Sequence, residues 1–149
     1  MSVPFDEINA AYLSVGEDLF GSEDLHAALG ERDPDEAAFF ALVLVGAEIE
    51  NGGFAQLFTN STGDIFPDAI EGAERFGLTD HARLLRDAES ELFPDGVPAD
   101  QRTRLQHWET LADDPSVDDR YDGLDPRWYA LHDVLEQRLL EYARTRTGD

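Results

Sequence analysis

The side chains with the most chemistry to offer here are carboxylates and four histidines. The chain carries 33 Asp and Glu against 11 Arg, without one Lys, and its formal net charge is -22 over 149 residues. Carboxylates this dense suit three jobs: holding divalent cations, moving protons, or meeting a basic partner. Glu23-x-x-His26 has the spacing that carboxylate-bridged dimetal bundles use, but such bundles need two copies and the chain has one. An ordinary exposed helical pair is the simpler expectation. The Asp-rich stretch 113–125 lacks the alternating ligands and central Gly of a calcium-binding EF-hand loop. No metal and no cofactor is therefore expected. His81 is expected in the first turn of a helix, solvated. His107, beside Trp108, is placed to pack or hydrogen-bond, and His132 to sit on the surface of the last helix. None suggests a triad or a general-base pairing. Gly-rich phosphate loops, HExxH and Gly-x-Ser-x-Gly elbows are missing, and so is cysteine with its thiolate and disulfide chemistry. No catalytic residue is assigned, and the chain is not expected to be an enzyme.

Whatever these residues do, helices must position them. The periodicity is helical nearly throughout, with no convincing period-2 strand. Phe5 to Val15 gives a first helix with Phe5, Ile8, Tyr12 and Val15 on one face, and Ser22 to Leu29 a short second one closed by Gly30. Asp33-Pro34-Asp35-Glu36 is a start signal: Asp33 caps, Pro34 suits the first helical position, and Glu36 completes a capping box. The helix that follows, to about Glu50, is apolar almost all round and belongs at the centre of the domain. Asn51-Gly52-Gly53 stops it, and a shorter helix restarts at Phe54. Further helices are expected over 67–76, 79–93 (capped by Thr79) and 98–112, then a long acidic loop over 113–125. Asp125-Pro126 opens the last helix, whose seam is Trp128, Leu131, Leu135, Leu139 and Tyr142. The fold class is all-α: one domain over residues 1–149, a bundle of roughly seven or eight helices around a central apolar helix. The chain opens without a basic signal region, and its longest apolar run, 37–47, is about half a membrane span, so a cytoplasmic protein is expected.

One segment is not generic. Residues 48–64 read EIENGGFAQLFTNSTGD. The glycines allow a sharp reversal after the buried helix, and Phe54, Leu57 and Phe58 re-enter the core one turn later. Asn51, Gln56, Asn60, Ser61 and Asp64 can satisfy backbone groups freed at both helix ends. A polar-clamped joint is one expectation; a ligand or partner site built on the same groups is the other. The segment resembles the family named after DNA mimic protein nineteen, whose pattern is E-x-x-N-G-G-F-x-Q-aromatic-F-x-N-S-x-G-D. Glu48, Asn51, Gly52, Gly53, Phe54, Gln56, Phe58, Asn60, Ser61, Gly63 and Asp64 match, while Leu57 stands where an aromatic is usual. The resemblance implies an α-helical acidic protein that assembles as a homodimer. It also implies an interaction role, in which carboxylates stand in for DNA phosphates before a DNA-binding transcription regulator. The pattern itself looks like a fold signature, so mimicry has to be argued from surface charge.

The total charge falls short of that role. A 16.6 kDa chain should expose roughly 7,600 Å², or about one net charge per 350 Å². B-DNA, with a charge every ~1.7 Å of axis, carries about one per 110 Å². Mimicry therefore requires clustering. Two clusters exist: Glu17, Asp18, Glu23, Asp24, Glu31, Asp33, Asp35 and Glu36 near the start, and Asp113, Asp114, Asp118, Asp119, Asp122 and Asp125 later. Arg83, Arg86, Arg102, Arg104, Arg138, Arg144 and Arg146 offset the later helices. If the clusters share a face, local density approaches that of DNA; on opposite faces it cannot, unless a dimer joins them. The expected partner is a basic DNA-binding protein, a regulator or nucleoid protein, with no direct binding of nucleic acid and none of membrane. Two alternatives stand beside it. One is a helical protein whose acidity reflects a halophilic or GC-rich host; the other is an enzyme or ligand-binding protein using the joint at 51–64.

Overall fold

The computed structural model describes residues 4–111 and 113–147, and omits the side chains of residues 4, 5, 117, 118, 121 and 147. Eight α-helices and one 3-10 turn follow in order, and no strand occurs among the described residues. They are α1 (Pro4–Gly16), α2 (Leu25–Gly30), α3 (Pro34–Thr59), the turn Ser61–Ile65, α4 (Phe66–Arg75), α5 (Thr79–Leu92), α6 (Gln101–Leu111), α7 (Val117–Ala130) and α8 (His132–Thr147). The all-α bundle expected from periodicity is what forms.

α3 is the axis of the bundle because no side of it is polar enough to face water for long. Phe39, Phe40, Ala41, Leu42, Val45 and Ile49 are buried along it. α1, α4, α6, α7 and α8 all pack on it. With 26 residues, α3 is long and apolar enough to cross a bilayer, longer than the eleven-residue run suggested. Over half of its most apolar stretch is instead enclosed by the other helices, which is the character of a core helix. Its start works as expected in part. Asp33 Oδ2 accepts the backbone N–H groups of Asp35 and Glu36 at 3.1 and 3.2 Å, and Pro34 takes the first turn. Glu36 does not complete the box; its carboxylate turns outward to Arg146 at 2.8 Å.

Three expectations fail in instructive ways. Thr79 does not cap α5: it is the helix's first residue, and Leu78 occupies the cap position without a side-chain bond. The acidic stretch 113–125 is not a long loop, since α7 begins at Val117. Asp125-Pro126 opens no helix; both residues lie inside α7, and the chain breaks instead at Leu131, between α7 and α8. The expected seam is thus divided between two helices, with Trp128 buried from α7 and Leu135 and Leu139 from α8. The end of the helix expected over 98–112 reaches Leu111, and Ala112 lies outside the described residues.

Candidate functional site: a clamped joint and two acidic clusters

The reversal after Glu50 is a kink at which two helical limbs of α3 meet, as the glycines led one to expect: Gly53 is out of helical conformation, at φ 76° and ψ -175°, and the second limb restarts at Phe54. Positive φ at this value strains any residue with a Cβ. Space forbids one as well, because a Cβ here would lie 2.2 Å from Asp125 Oδ2. Asp125 reaches across from α7 so that its Oδ1 accepts the backbone N–H of Phe54 at 3.0 Å. That N–H is one of the donors a restarted helix leaves without an intrahelical partner. Burial pushes the Asp125 carboxyl above its ordinary pKa, the Phe54 N–H pulls it back, and the charge of Asp122 pushes it up again.

Two further charges clamp the limbs of the reversal. Glu48 collects Gln56 Nε2 at 2.5 Å, Thr62 Oγ1 at 2.9 Å and Asn60 Nδ2 at 3.3 Å. The Gln56 amide lies over Gly52, where a Cβ would come within 2.0 Å of it. On the other side stands Arg104 of α6, with none of its side chain exposed. Its Nε donates to Phe58 O at 3.0 Å, Nη1 to Pro98 O at 3.0 Å and Nη2 to Asn60 O at 2.9 Å. Nη2 also lies 2.7 Å from Asp64 Oδ1. Gly63 is needed because a Cβ there would stand 2.7 Å from Arg104 Nε. Gln101, one turn before Arg104, donates to Thr59 O at 2.9 Å.

The spacing of the segment is thereby explained residue by residue, apart from Asn51 and Ser61. Both are exposed and make no side-chain hydrogen bond among the described residues. Leu57, the departure from the pattern, is fully buried near the rings of Phe54 and Phe58. Arg104 was expected to offset surface charge and does the opposite, spending its charge in the interior. The model of the DMP19-like protein family matches residues 30–146. The chain belongs to that family. No curated protein and no solved structure matches it. The region shared with DMP19-like proteins contains the joint, its Arg104 and Asp125 clamps and the later acidic cluster, but not Glu17, Asp18, Glu23 or Asp24.

The acidic clusters are part structure, part free charge. In the first, Asp24 caps α2 by accepting Ala27 N–H at 3.0 Å, and Asp33 caps α3. Asp18 meets Arg32 at 3.2 Å, Asp35 meets Arg75 at 2.5 Å, and Glu36 meets Arg146 at 2.8 Å. Glu17, Glu23 and Glu31 remain exposed without an ion pair among the described residues. In the second, Asp114 meets Arg120 at 3.0 Å. The N–H and hydroxyl of Ser116 hold its carboxyl below the usual pKa. Asp113, Asp119 and Asp122 are exposed and have no ion pair among the described residues. The side chain of Asp118 lies outside the described residues. Asp125 is only partly exposed and faces the joint. Asp33 caps the start of α3 and Asp125 sits on Gly53, twenty residues further along, while α2, which Glu23 and Asp24 precede, packs on the turn Ser61–Ile65 and reaches Asp68 through His26.

Two of the histidines, His81 and His26, depart from expectation. His81 is buried, 1% exposed, with Nε2 3.0 Å from Leu131 O and its ring edge-on to Trp128. Burial lowers its pKa, against the pull of that carbonyl and of Asp80. His26 pairs with Asp68 of α4 at 2.6 Å rather than with Glu23, which precedes α2. His107 does both things foreseen for it, bonding Leu92 O at 2.8 Å and packing on Phe93. No group of three metal-ligating side chains occurs among the described residues.

Proposed function

We propose that this DMP19-like protein is a non-enzymatic interaction protein of the DNA-mimic type. It would bind the DNA-contacting surface of a basic regulator or nucleoid protein, in the cytoplasm. One observation carries this reading: Glu48, Arg104 and Asp125 are taken up inside the joint, while Glu17, Glu23, Glu31, Asp113, Asp119 and Asp122 are exposed with no ion pair among the described residues. The folded chain exposes 8045 Å² for its 22 net charges, about one per 370 Å², so average charge alone does not imitate DNA. The homodimer is part of the proposal, because pairing two copies is a route to a longer charged face. The potential would steer a basic partner in quickly, and salt would weaken the encounter, since exposed charges are screened beyond about 8 Å at physiological ionic strength.

The test is competition. Labelled DNA bound to basic nucleoid and regulator proteins of the host is titrated with the protein at low and at physiological salt, with light scattering reporting its mass. Displacement that weakens with salt is expected, from a species of twice the chain mass. Failure to displace DNA from any of these proteins at low salt sinks the reading.

A further inference from the structure

His132 opens α8 at the point where that helix meets α3, and both its ring nitrogens face carboxylates. Nδ1 is hydrogen-bonded to Glu50 Oε1 of α3, and Nε2 lies 3.2 Å from Glu136 Oε2, one turn along α8. A neutral imidazole has one N–H and one lone pair, so it can satisfy only one of two acceptors. A ring held between two carboxylates is therefore arranged for the cation, with an N–H on each side. The contact to Glu50 joins residues 82 apart in sequence. Beside it runs an apolar cleft of about 130 Å³, floored by Leu42, Gly46, Leu135 and Leu139 and closed on the α1 side by Ile8.

We infer that His132 is a proton-operated clasp: as the imidazolium it ties the first turn of α8 to α3 and closes the end of the cleft, and on losing its proton it lets that turn go. Loss of the proton leaves Glu50 and Glu136 facing one another with a single N–H between them, so contact becomes repulsion. The charged groups facing the ring are Glu50 from α3 and Glu136 from α8 itself; α1 presents Ile8 to the cleft, and α7 contributes the Tyr129 hydroxyl, which donates to Ile49 O at 3.4 Å. Partial burial works against the cation, but the hydrogen bond and charge of Glu50, and then Glu136, outweigh it and raise the pKa above 6.5. The sign follows. A raised folded pKa adds stability that is full below the unfolded value and is lost as pH rises through the folded one.

This inference is independent of what the acidic clusters bind, and its test needs no partner. The His132 Cε1 proton is titrated by NMR in the wild type, Glu50→Gln and Glu136→Gln, and hydrogen-exchange protection of the 132–136 amides is followed over the same pH range. The expected result is a pKa above 6.5 that drops in each variant, most in Glu50→Gln, with protection falling several-fold as the ring deprotonates. In His132→Gln the protection should be flat with pH. A ring that titrates at or below the ordinary value overturns the clasp. So does protection that ignores the titration in the wild type, or follows the same curve in His132→Gln.

Discussion

Carboxylates at the joint and carboxylates in the acidic clusters are the same chemistry put to opposite uses. Glu48, Asp64 and Asp125 each face inward to named donors: side-chain amides and a hydroxyl, a buried guanidinium, and a backbone N–H. Glu17, Glu23, Glu31, Asp113, Asp119 and Asp122 face water with no ion pair among the described residues. The first group holds a reversal that the backbone cannot hold alone. The second makes the compact state repel itself and gives the fold nothing in return. The difference teaches that net charge is a poor guide to where function lies. The informative charges are those the fold leaves unspent.

The sharpest way to break the comparison is at Arg104. Arg104→Met removes the donor to three carbonyls and the buried partner of Asp64, and should lower stability by about 3–5 kcal/mol in chemical denaturation. A loss near that of a surface arginine would mean that the interior charge is not a clamp. Gly53→Ala comes next. Its positive φ and its contact with Asp125 predict a loss of roughly 1–3 kcal/mol. Asp125→Asn should cost less, since an amide oxygen can still accept the Phe54 N–H.

The other side of the comparison is sharpened by neutralising the free charges. Glu17, Glu23 and Glu31 changed to Gln, together with Asp113, Asp119 and Asp122 changed to Asn, should shift stability by no more than about 0.5 kcal/mol per site. The same variant should lose the power to displace DNA from a basic partner. Undiminished displacement would remove the acidic clusters from the function. The smallest effects are pH-linked and run in opposite directions at two histidines. His81 is held neutral by burial, with its pKa lowered, so its share of stability is present above 6.5 and lost as pH falls through its folded value. His26 is raised, chiefly by its hydrogen bond to Asp68, so its share is present below 6.5 and lost as pH rises through its folded value. NMR titration of the two Cε1 protons should bracket 6.5 from below and above. Two coincident titrations would contradict the burial of His81.

Much of this was legible in the order of residues. α3 announced itself because an Asp-Pro start and a run of large apolar side chains act locally, and every local preference agrees with the fold. The joint was legible as a reversal because glycines leave few alternatives there. Arg104 was not, because its partners are mostly backbone carbonyls, which every sequence has and none advertises. Asp64 reads as a partner for freed backbone groups, and nothing local shows that one of 11 Arg meets it instead. α7 was misread for a related reason. Asp125-Pro126 has the form of a helix start, yet the carboxylate is spent on a donor 71 residues away, a demand that local rules do not contain. The acids of the two clusters could be named from sequence, but which of them were already paired depended on arginines brought from α4 and α8.

The distance between Phe54 and Asp125 also sets an order in time. As the chain leaves the ribosome, the bend in α3 emerges well before its latch. At roughly 5–20 residues per second, the 71 residues between them take about 4–14 s. Arg104, 46 residues after Phe58, comes sooner but still late. Early in that interval the most apolar helix of the protein has neither Arg104 nor Asp125 to clamp it, nor its later neighbours α6, α7 and α8. The young chain is thus most in need of a chaperone in the interval before Asp125 appears.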